Sequence, residues 1–551
     1  MNPPDATLAI PASLAQSVRL MTEQFGNSSD FVVRPFQLGG EPEAAGRSPW
    51  SSASLTAPLV VPSGNCSGMH PGVCDLPDNE LPAPASGEGA ALYIDGLVDG
   101  GAVRGNMETL LRCAREYRLA SMSRQYDWAD LVQYVAIPAD SMQAVSTADE
   151  ACDAMLSGAT VFLFDGYAGA LLLHTPGGEE RGVEEPATET SVRGPREGFT
   201  ELMRTNTAMV RRKVKDKRLR TEQLQIGRVT RTNVEVMHIS GIADESVVTE
   251  VLIRLKRIDV DSILESGYIE EMIEDETYAL FPTVANTERP DVVAANLLEG
   301  RVAVFVDGTP FVLLAPAVFV QFFQAAEDYY HRYTYGLIRL LRLLCFFIAM
   351  FGPGFYIAIT TFHQEMLPTG LLISLAAQRE GVPFPAFVEA LMMEVTFEIL
   401  REAGVRLPRA IGQAVSIVGA LVLGDAAVQA GLVSPAMVIV VSLTAIANFV
   451  IPAFEVAISL RILRFLFMAM AASFGLFGMT IGFIALLLHL SSLRSFGVPF
   501  TSPFAPFRLE DQKDTLLRLP IWSMRKRPHF FSRDNRVRRR AGKPRKPSGR
   551  S

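Results

Sequence analysis

The sequence predicts a mixed α+β and α/β soluble region of two duplicated modules, followed by an all-α transmembrane bundle. Three observations predict it. A strand, Asp-Gly turn, strand pattern occurs in two corresponding places in the first 320 residues. The long runs that are both uncharged and predominantly apolar are confined to residues 337–493. Hydrophobic residues make up 49% of 551 residues, and the mean hydropathy of +0.21 suits a polar part joined to an apolar part. The net charge of -8 averages over unlike regions, because the tail from Arg494 holds sixteen Lys/Arg against four Asp/Glu.

Residues 1–88 are rich in Pro, Ser, Gly and Ala, with breakers such as Pro62-Ser63-Gly64-Asn65, and read as a disordered tail. The start lacks the basic flank and apolar stretch of a secretory signal, so the soluble region is expected to stay cytosolic. The first module occupies 89–190. It opens on the β-prone run Ala91-Leu92-Tyr93-Ile94, closed by Asp95-Gly96, with helices expected near 106–117 and 147–156. Thr160-Val161-Phe162-Leu163-Phe164, Asp165-Gly166 and Ala170-Leu171-Leu172-Leu173 then read as a hairpin, because Gly takes positive φ without steric cost.

The second module, 223–316, repeats this. Val236-Met237-His238-Ile239-Ser240-Gly241 echoes the first strand, and Val302-Ala303-Val304-Phe305-Val306-Asp307-Gly308 echoes the hairpin. Gly96 and Gly166 are 70 positions apart, Gly241 and Gly308 are 67 apart, and this match indicates duplication. Val247, Val248, Val251, Leu252, Leu255 and Ile258 recur at helical spacing, one face for a sheet. Between the modules, 191–222 is a linker with a basic helix, Arg211 to Arg218, which reads as a solvated face or a contact for anionic lipid. No aromatic side chains are interleaved there for nucleic acid.

Residues 317–336 read as an interfacial helix with an aromatic belt of Tyr329, Tyr330, Tyr333 and Tyr335, flanked by Arg339 and Arg342. In 337–493, the uncharged runs 343–362, 435–454 and 465–488 each suffice for a hydrocarbon core of about 30 Å. Residues 411–424 add a shorter run, and four spans are expected. Gly352-Pro353-Gly354 is expected to kink or break the first. An even number of crossings returns the basic tail, 494–551, to the cytosol and places Arg461 and Arg464 near the outer surface.

No phosphate-loop, nucleophile-elbow, zinc-protease or dinucleotide motif occurs in a suitable context, and this argues against an enzyme. Cys66, Cys74, Cys113, Cys152 and Cys345 form no metal-binding or disulfide framework, so neither metal nor cofactor is expected. Two membrane features suggest an ion path. Gln413, Ser416 and Ala420 share a helical face of polar and small residues, with Ile417 and Gly424 as further candidate pore lining. The same small residues also suit close helix packing. Glu394, Glu398 and Glu402, spaced four apart, share a face that reads as an acidic vestibule or as a salt-bridged surface.

Five motifs carry a resemblance. They are Ser191-Val192-Arg193-Gly194-Pro195-Arg196-Glu197-Gly198-Phe199, Ser266-Gly267-Tyr268-Ile269-Glu270, and Phe281-Pro282-Thr283-Val284-Ala285-Asn286-Thr287-Glu288-Arg289-Pro290. Further on come Arg406-Leu407-Pro408-Arg409-Ala410-Ile411-Gly412-Gln413-Ala414-Val415-Ser416 and Leu493-Arg494-Ser495-Phe496-Gly497-Val498-Pro499. In these the chain resembles the A subunit of spore germinant receptors, the GerA family, from about Ala91 to Pro528. The resemblance implies a subunit of a spore inner-membrane complex. Its partners would be a transporter-like, nutrient-binding B subunit and a C-subunit lipoprotein. It also implies a homo-oligomer, a pentamer, forming a nutrient-gated cation channel. A stage V sporulation paralogue of the same family would release ions by related means. A secondary transporter would need inverted repeats in the membrane half, and none is visible. The chain departs from the family at Phe454-Glu455-Val456 and in its long N-terminal tail.

Overall fold

Two five-stranded antiparallel sheets carry the first part of the chain. The computed structural model describes residues 8–37, 88–120, 142–177, 193–406, 424–515, 517–532 and 535–538, with isolated positions between 185 and 191. The first sheet holds β1 (Phe31–Gln37), β2 (Glu88–Ile94), β3 (Met142–Val145), β4 (Ala159–Phe164) and β5 (Ala170–His174), in the order β1-β2-β4-β5-β3. The second holds β6 (Leu219–Ile226), β7 (Thr232–Ile239), β8 (Ala285–Thr287), β9 (Val302–Val306) and β10 (Val312–Ala315), in the order β6-β7-β9-β10-β8. Each order is first, second, fourth, fifth, third, so the two modules share one topology.

The helices correspond as well. The first module has α1 (Leu14–Phe25), α2 (Gly100–Ala120) and α3 (Ala148–Leu156). The second has α4 (Met203–Lys213), α5 (Glu245–Arg257), α6 (Ser266–Ile273) and α7 (Pro290–Glu299). Both Asp-Gly turns do more than join strands. Gly166 and Gly308 sit at φ 85° and 92°. Their N–H groups donate to the carbonyls of Ala12, at 2.8 Å, and Glu201, at 2.9 Å. The neighbouring carboxylates of Asp165 and Asp307 accept the first N–H of α1, at 3.2 Å, and of α4, at 3.3 Å. Each turn thus caps the helix that opens its own module, satisfying a donor that helix starts leave unpaired.

The expectation of a disordered 1–88 is corrected on this point. α1 and β1 belong to the first module, and β1 pairs with β2 along its whole length. Met21 and Phe25 of α1 are fully buried in that module's core. Pro35 is tolerated in β1 because β1 is an edge strand and needs no donor on its free side. Residues 38–87 lie outside the described residues.

The basic helix is also corrected. α4 ends at Lys213, and its Arg211 is 1% exposed rather than solvated. Arg211 donates to both carboxylate oxygens of Asp30, at 2.6 and 2.9 Å, and to Ser28 Oγ at 3.0 Å. Thr221 of β6 donates to Asp30 at 3.1 Å, and Ser29 donates to Glu235 of β7 at 3.0 Å. The α1–β1 turn therefore locks the first module onto the second.

Among the described residues, five α-helices follow: α8 (Ile338–Phe362), α9 (Thr369–Arg379), α10 (Ala386–Arg406), α11 (Pro435–Phe449) and α12 (Phe454–Ser492). Among the described residues, two stretches are long and apolar enough to cross a membrane, Tyr333–Phe362 and Phe454–Ser492. Only 50% and 33% of their most apolar windows are buried, and Leu341, Leu344, Ile462, Phe474, Phe477 and Leu488 are exposed. A soluble protein rarely leaves so much large apolar surface to water; lipid is the natural solvent for it. Pro353 does not break α8, which runs on as one helix. Gly352 meets Thr444 of α11, and Gly354 meets the Phe467 carbonyl of α12, so the predicted break is instead a close crossing of three helices.

α12 is two helices. Gly475 has φ 60° and ψ −145°, a conformation essentially reserved for glycine. In a straight helix, residues 467 and 482 would stand about 22 Å apart. Here a Cβ on Gly482 would lie 2.8 Å from the Phe467 ring, so limbs 454–474 and 476–492 form an antiparallel hairpin. Its tip touches Phe362 and His363 at the far end of α8, and both feet return to the second module. The expected single run 465–488 is therefore a turn region with half of each limb. Of the four expected spans, 411–424 lies outside the described residues except for Gly424.

Candidate functional site

The functional signal concentrates where the second module meets the helices. Four of the five motifs converge there. Arg289, 2% exposed, donates to the carbonyls of Pro195, at 2.9 Å, and Glu189, at 3.1 Å. Its guanidinium also holds Asp291 at 3.0 Å, and Asp291 accepts the Tyr330 hydroxyl. Phe199 N–H donates to the Glu288 carbonyl at 2.8 Å. Gly194, at φ 143°, lies against the Tyr330 ring, where a Cβ would come within 2.6 Å. The Gly194 and Arg289 motifs thus form one buried joint between the linker and α7.

A second joint ties the module to the hairpin. Asn286 Nδ2 donates to the Glu455 carboxylate in the first turn of α12. Glu270 of α6 stands close by; burial, then the Glu455 charge, pushes its carboxyl up to about 8. Burial and the like charge both favour the protonated form of Glu270. Ser495, after the hairpin, donates to the Thr283 carbonyl at 2.6 Å and accepts Ala317 N–H at 2.9 Å. Phe496 enters the second module's core beneath the Arg254 guanidinium, 4.5 Å above its ring.

The third joint is centred on Asp328, which is fully buried. It accepts from Arg339 at 2.7 Å and from Arg342 at 2.9 Å, both in the first turns of α8. Arg339 also reaches Asp514 at 2.8 Å. This corrects the interfacial helix and its belt. Residues 317–336 form three short turns, Phe319–Phe323, Glu327–Tyr330 and Tyr333–Leu337, instead of one helix. Tyr329 and Tyr330 turn inward onto Asp514 and Asp291, while Tyr333 is 55% exposed. Arg339 and Arg342 are buried in ion pairs, so they are not free positive flanks. Phe319 packs edge-on against Phe281, Phe323 and Phe346, and also meets Phe500. One apolar core therefore runs unbroken from the second module into α8, α11 and α12.

Gln413, Ser416, Ile417 and Ala420 lie outside the described residues. Gly424 is buried, and a Cβ there would lie 3.8 Å from Val438 of α11. Within this chain Glu394, Glu398 and Glu402 of α10 do not form an open acidic face. Glu394, 0% exposed, holds Arg464 at 2.6 Å, and Arg464 also donates to the Ala349 carbonyl at 2.8 Å. Glu398 holds Arg461 at 2.8 Å, and only Glu402 is exposed, paired with Arg406 at 2.7 Å. Arg461 and Arg464 sit seven and ten residues into α12 from its foot on the second module, not at the far surface. Sequence reading missed this pairing, although carboxylates at 394 and 398 and guanidiniums at 461 and 464 are matched helical spacings. Among the described residues, no group of three or more His, Cys, Asp or Glu side chains is placed to hold a metal.

The model of the family described as Bacillus/Clostridium GerA spore germination protein matches residues 76–530. This chain belongs to the GerA family. It is 53% identical to Spore germination protein KA of Bacillus subtilis (strain 168) over 459 residues, 83% of each chain. It is 42% identical to Spore germination protein GerLA of Bacillus cereus, across 71% of this chain and 80% of that protein. A solved structure, the N-terminal domain of the A subunit of the Bacillus megaterium spore germinant receptor GerK3, is 34% identical. It covers 57% of this chain and 100% of its own, with a TM-score of 0.39. The GerA match begins after α1 and β1 and runs through the rest of the two modules and the helices described above.

Proposed function

We propose that this chain is the A subunit of a spore nutrient germinant receptor, set in the spore inner membrane with its α/β modules in the cytosol. Several copies, five in our reading, assemble into a ring that opens a cation path when nutrient binds. The nutrient site belongs to a transporter-like B subunit, and a C-subunit lipoprotein completes the complex. One observation carries the reading: a GerA chain whose second module and membrane helices share a single core. A load on the modules is then transmitted to the helices through packed side chains, since such cores deform little.

The pore lining in this reading is the face of Gln413, Ser416, Ile417, Ala420 and Gly424. Glu394 and Glu398, neutralised by Arg464 and Arg461, hold α10 against the hairpin and so steady the segment that follows α10. Glu402 is the exposed carboxylate of the three and shares its charge with Arg406. Mass and symmetry of the full chain in lipid nanodiscs, measured with its partner subunits, test the assembly. A ring of identical subunits is expected; one copy per particle contradicts it.

A further inference from the structure

The segment after the hairpin, 503–527, is tied to the entrance of the first membrane-crossing helix. Asp514 is held by Arg339 at 2.8 Å, and Arg518 donates to the His331 carbonyl at 2.9 Å. Gly336 admits this contact: a Cβ there would lie 2.8 Å from Arg518 Cβ. The Arg518 side chain is 4% exposed, and the chain turns back on itself there, Asp514 bridging to Arg518, with the neighbours of Arg518 left at the surface. Those neighbours are apolar. Leu517 is 43% exposed, Leu519 40% and Ile521 53%. Leu337, Leu340 and Leu341, the exposed leucines with which the crossing stretch begins, follow Gly336, which packs on Arg518. Lys513 and Arg525, also exposed, bracket them.

Apolar side chains at the level where a helix enters lipid, bracketed by cations, match an anionic headgroup layer in both hydropathy and charge. We infer that residues 513–525 lie in the membrane surface, with Leu517, Leu519 and Ile521 in the acyl boundary and Lys513 and Arg525 on anionic lipid headgroups. The modules are then braced against the bilayer beside the Asp328 joint. The inference rests on the membrane reading of α8 and α12.

Trp522, next to Ile521, is the natural probe. The full chain carrying Trp50→Phe and Trp128→Phe is reconstituted in vesicles of phosphatidylglycerol or phosphatidylcholine brominated high on the acyl chain. Bromolipid quenching of Trp522 is expected to be about two-fold stronger in phosphatidylglycerol, where paired basic residues add to binding. Lys513→Glu with Arg525→Glu should reduce it to the phosphatidylcholine level, and Leu517→Asp with Leu519→Asp should open Trp522 to aqueous iodide. Equal quenching in the two lipids, or iodide access as high as in detergent, overturns the inference while the chain still floats with the vesicles. Failure to float overturns the membrane reading itself and this inference with it.

Discussion

Asp30 and Arg211 show how single residues fix the arrangement of the modules. Arg211 is buried with its charge matched by Asp30, and Glu235 lies within reach of the same cluster through Ser29. Burial, then the charge of Asp30, pushes the Glu235 carboxyl from 4.5 up to about 7. Between those values the folded chain keeps a proton that the unfolded chain releases. The stability this group contributes is therefore complete below its unfolded value and is lost as pH rises through about 7. Denaturant unfolding at pH 5 and pH 7.5 should show a loss of stability in the native chain that Glu235→Gln abolishes. An equal loss in that variant would place the pH sensitivity elsewhere. None of this was visible in sequence, because Ser28, Ser29 and Asp30 sit in a stretch whose composition resembles a disordered tail. Their order comes from partners nearly two hundred positions away, such as Thr221 and Arg211.

At the scale of elements, legibility followed local chemistry. The Asp-Gly turns at 165–166 and 307–308 could be read because positive φ there demands glycine, and the structure places both glycines in that region. The hairpin at Gly475 could not, because one glycine in an uncharged apolar run looks the same in a straight helix. Gly475→Ala should destabilise the folded helices by about 1–3 kcal/mol, before adding the contact with Phe362 and His363. Thermal unfolding in detergent measures it; an unchanged midpoint would mean that limbs 454–474 and 476–492 do not turn there. The Glu394–Arg464 pair decides a second point. Removing one partner of a buried pair costs about 3–5 kcal/mol. Glu394→Ala should therefore lower stability, and Glu394→Ala with Arg464→Met should recover most of it. A Glu394→Ala chain of native stability but reduced cation conductance would instead restore the vestibule role.

At the scale of the whole molecule, the duplication was legible in the spacing of Gly96, Gly166, Gly241 and Gly308, and both sheets bear it out with one strand order. The family was legible from motifs, four of which the structure brings to the first two joints. What the sequence hid is that the second module and the helices share a core, since Phe281, Phe319, Phe346 and Phe500 are far apart in the chain. In the proposed function, that shared core is the route by which a signal on the modules moves the helices. The most direct measurement is nutrient-triggered release of monovalent cations from spores whose only copy of this chain carries Ser416→Phe, with receptor level checked in the same spores. The account predicts a native amount of assembled receptor and loss of cation release. Native release from a fully assembled Ser416→Phe receptor would contradict it.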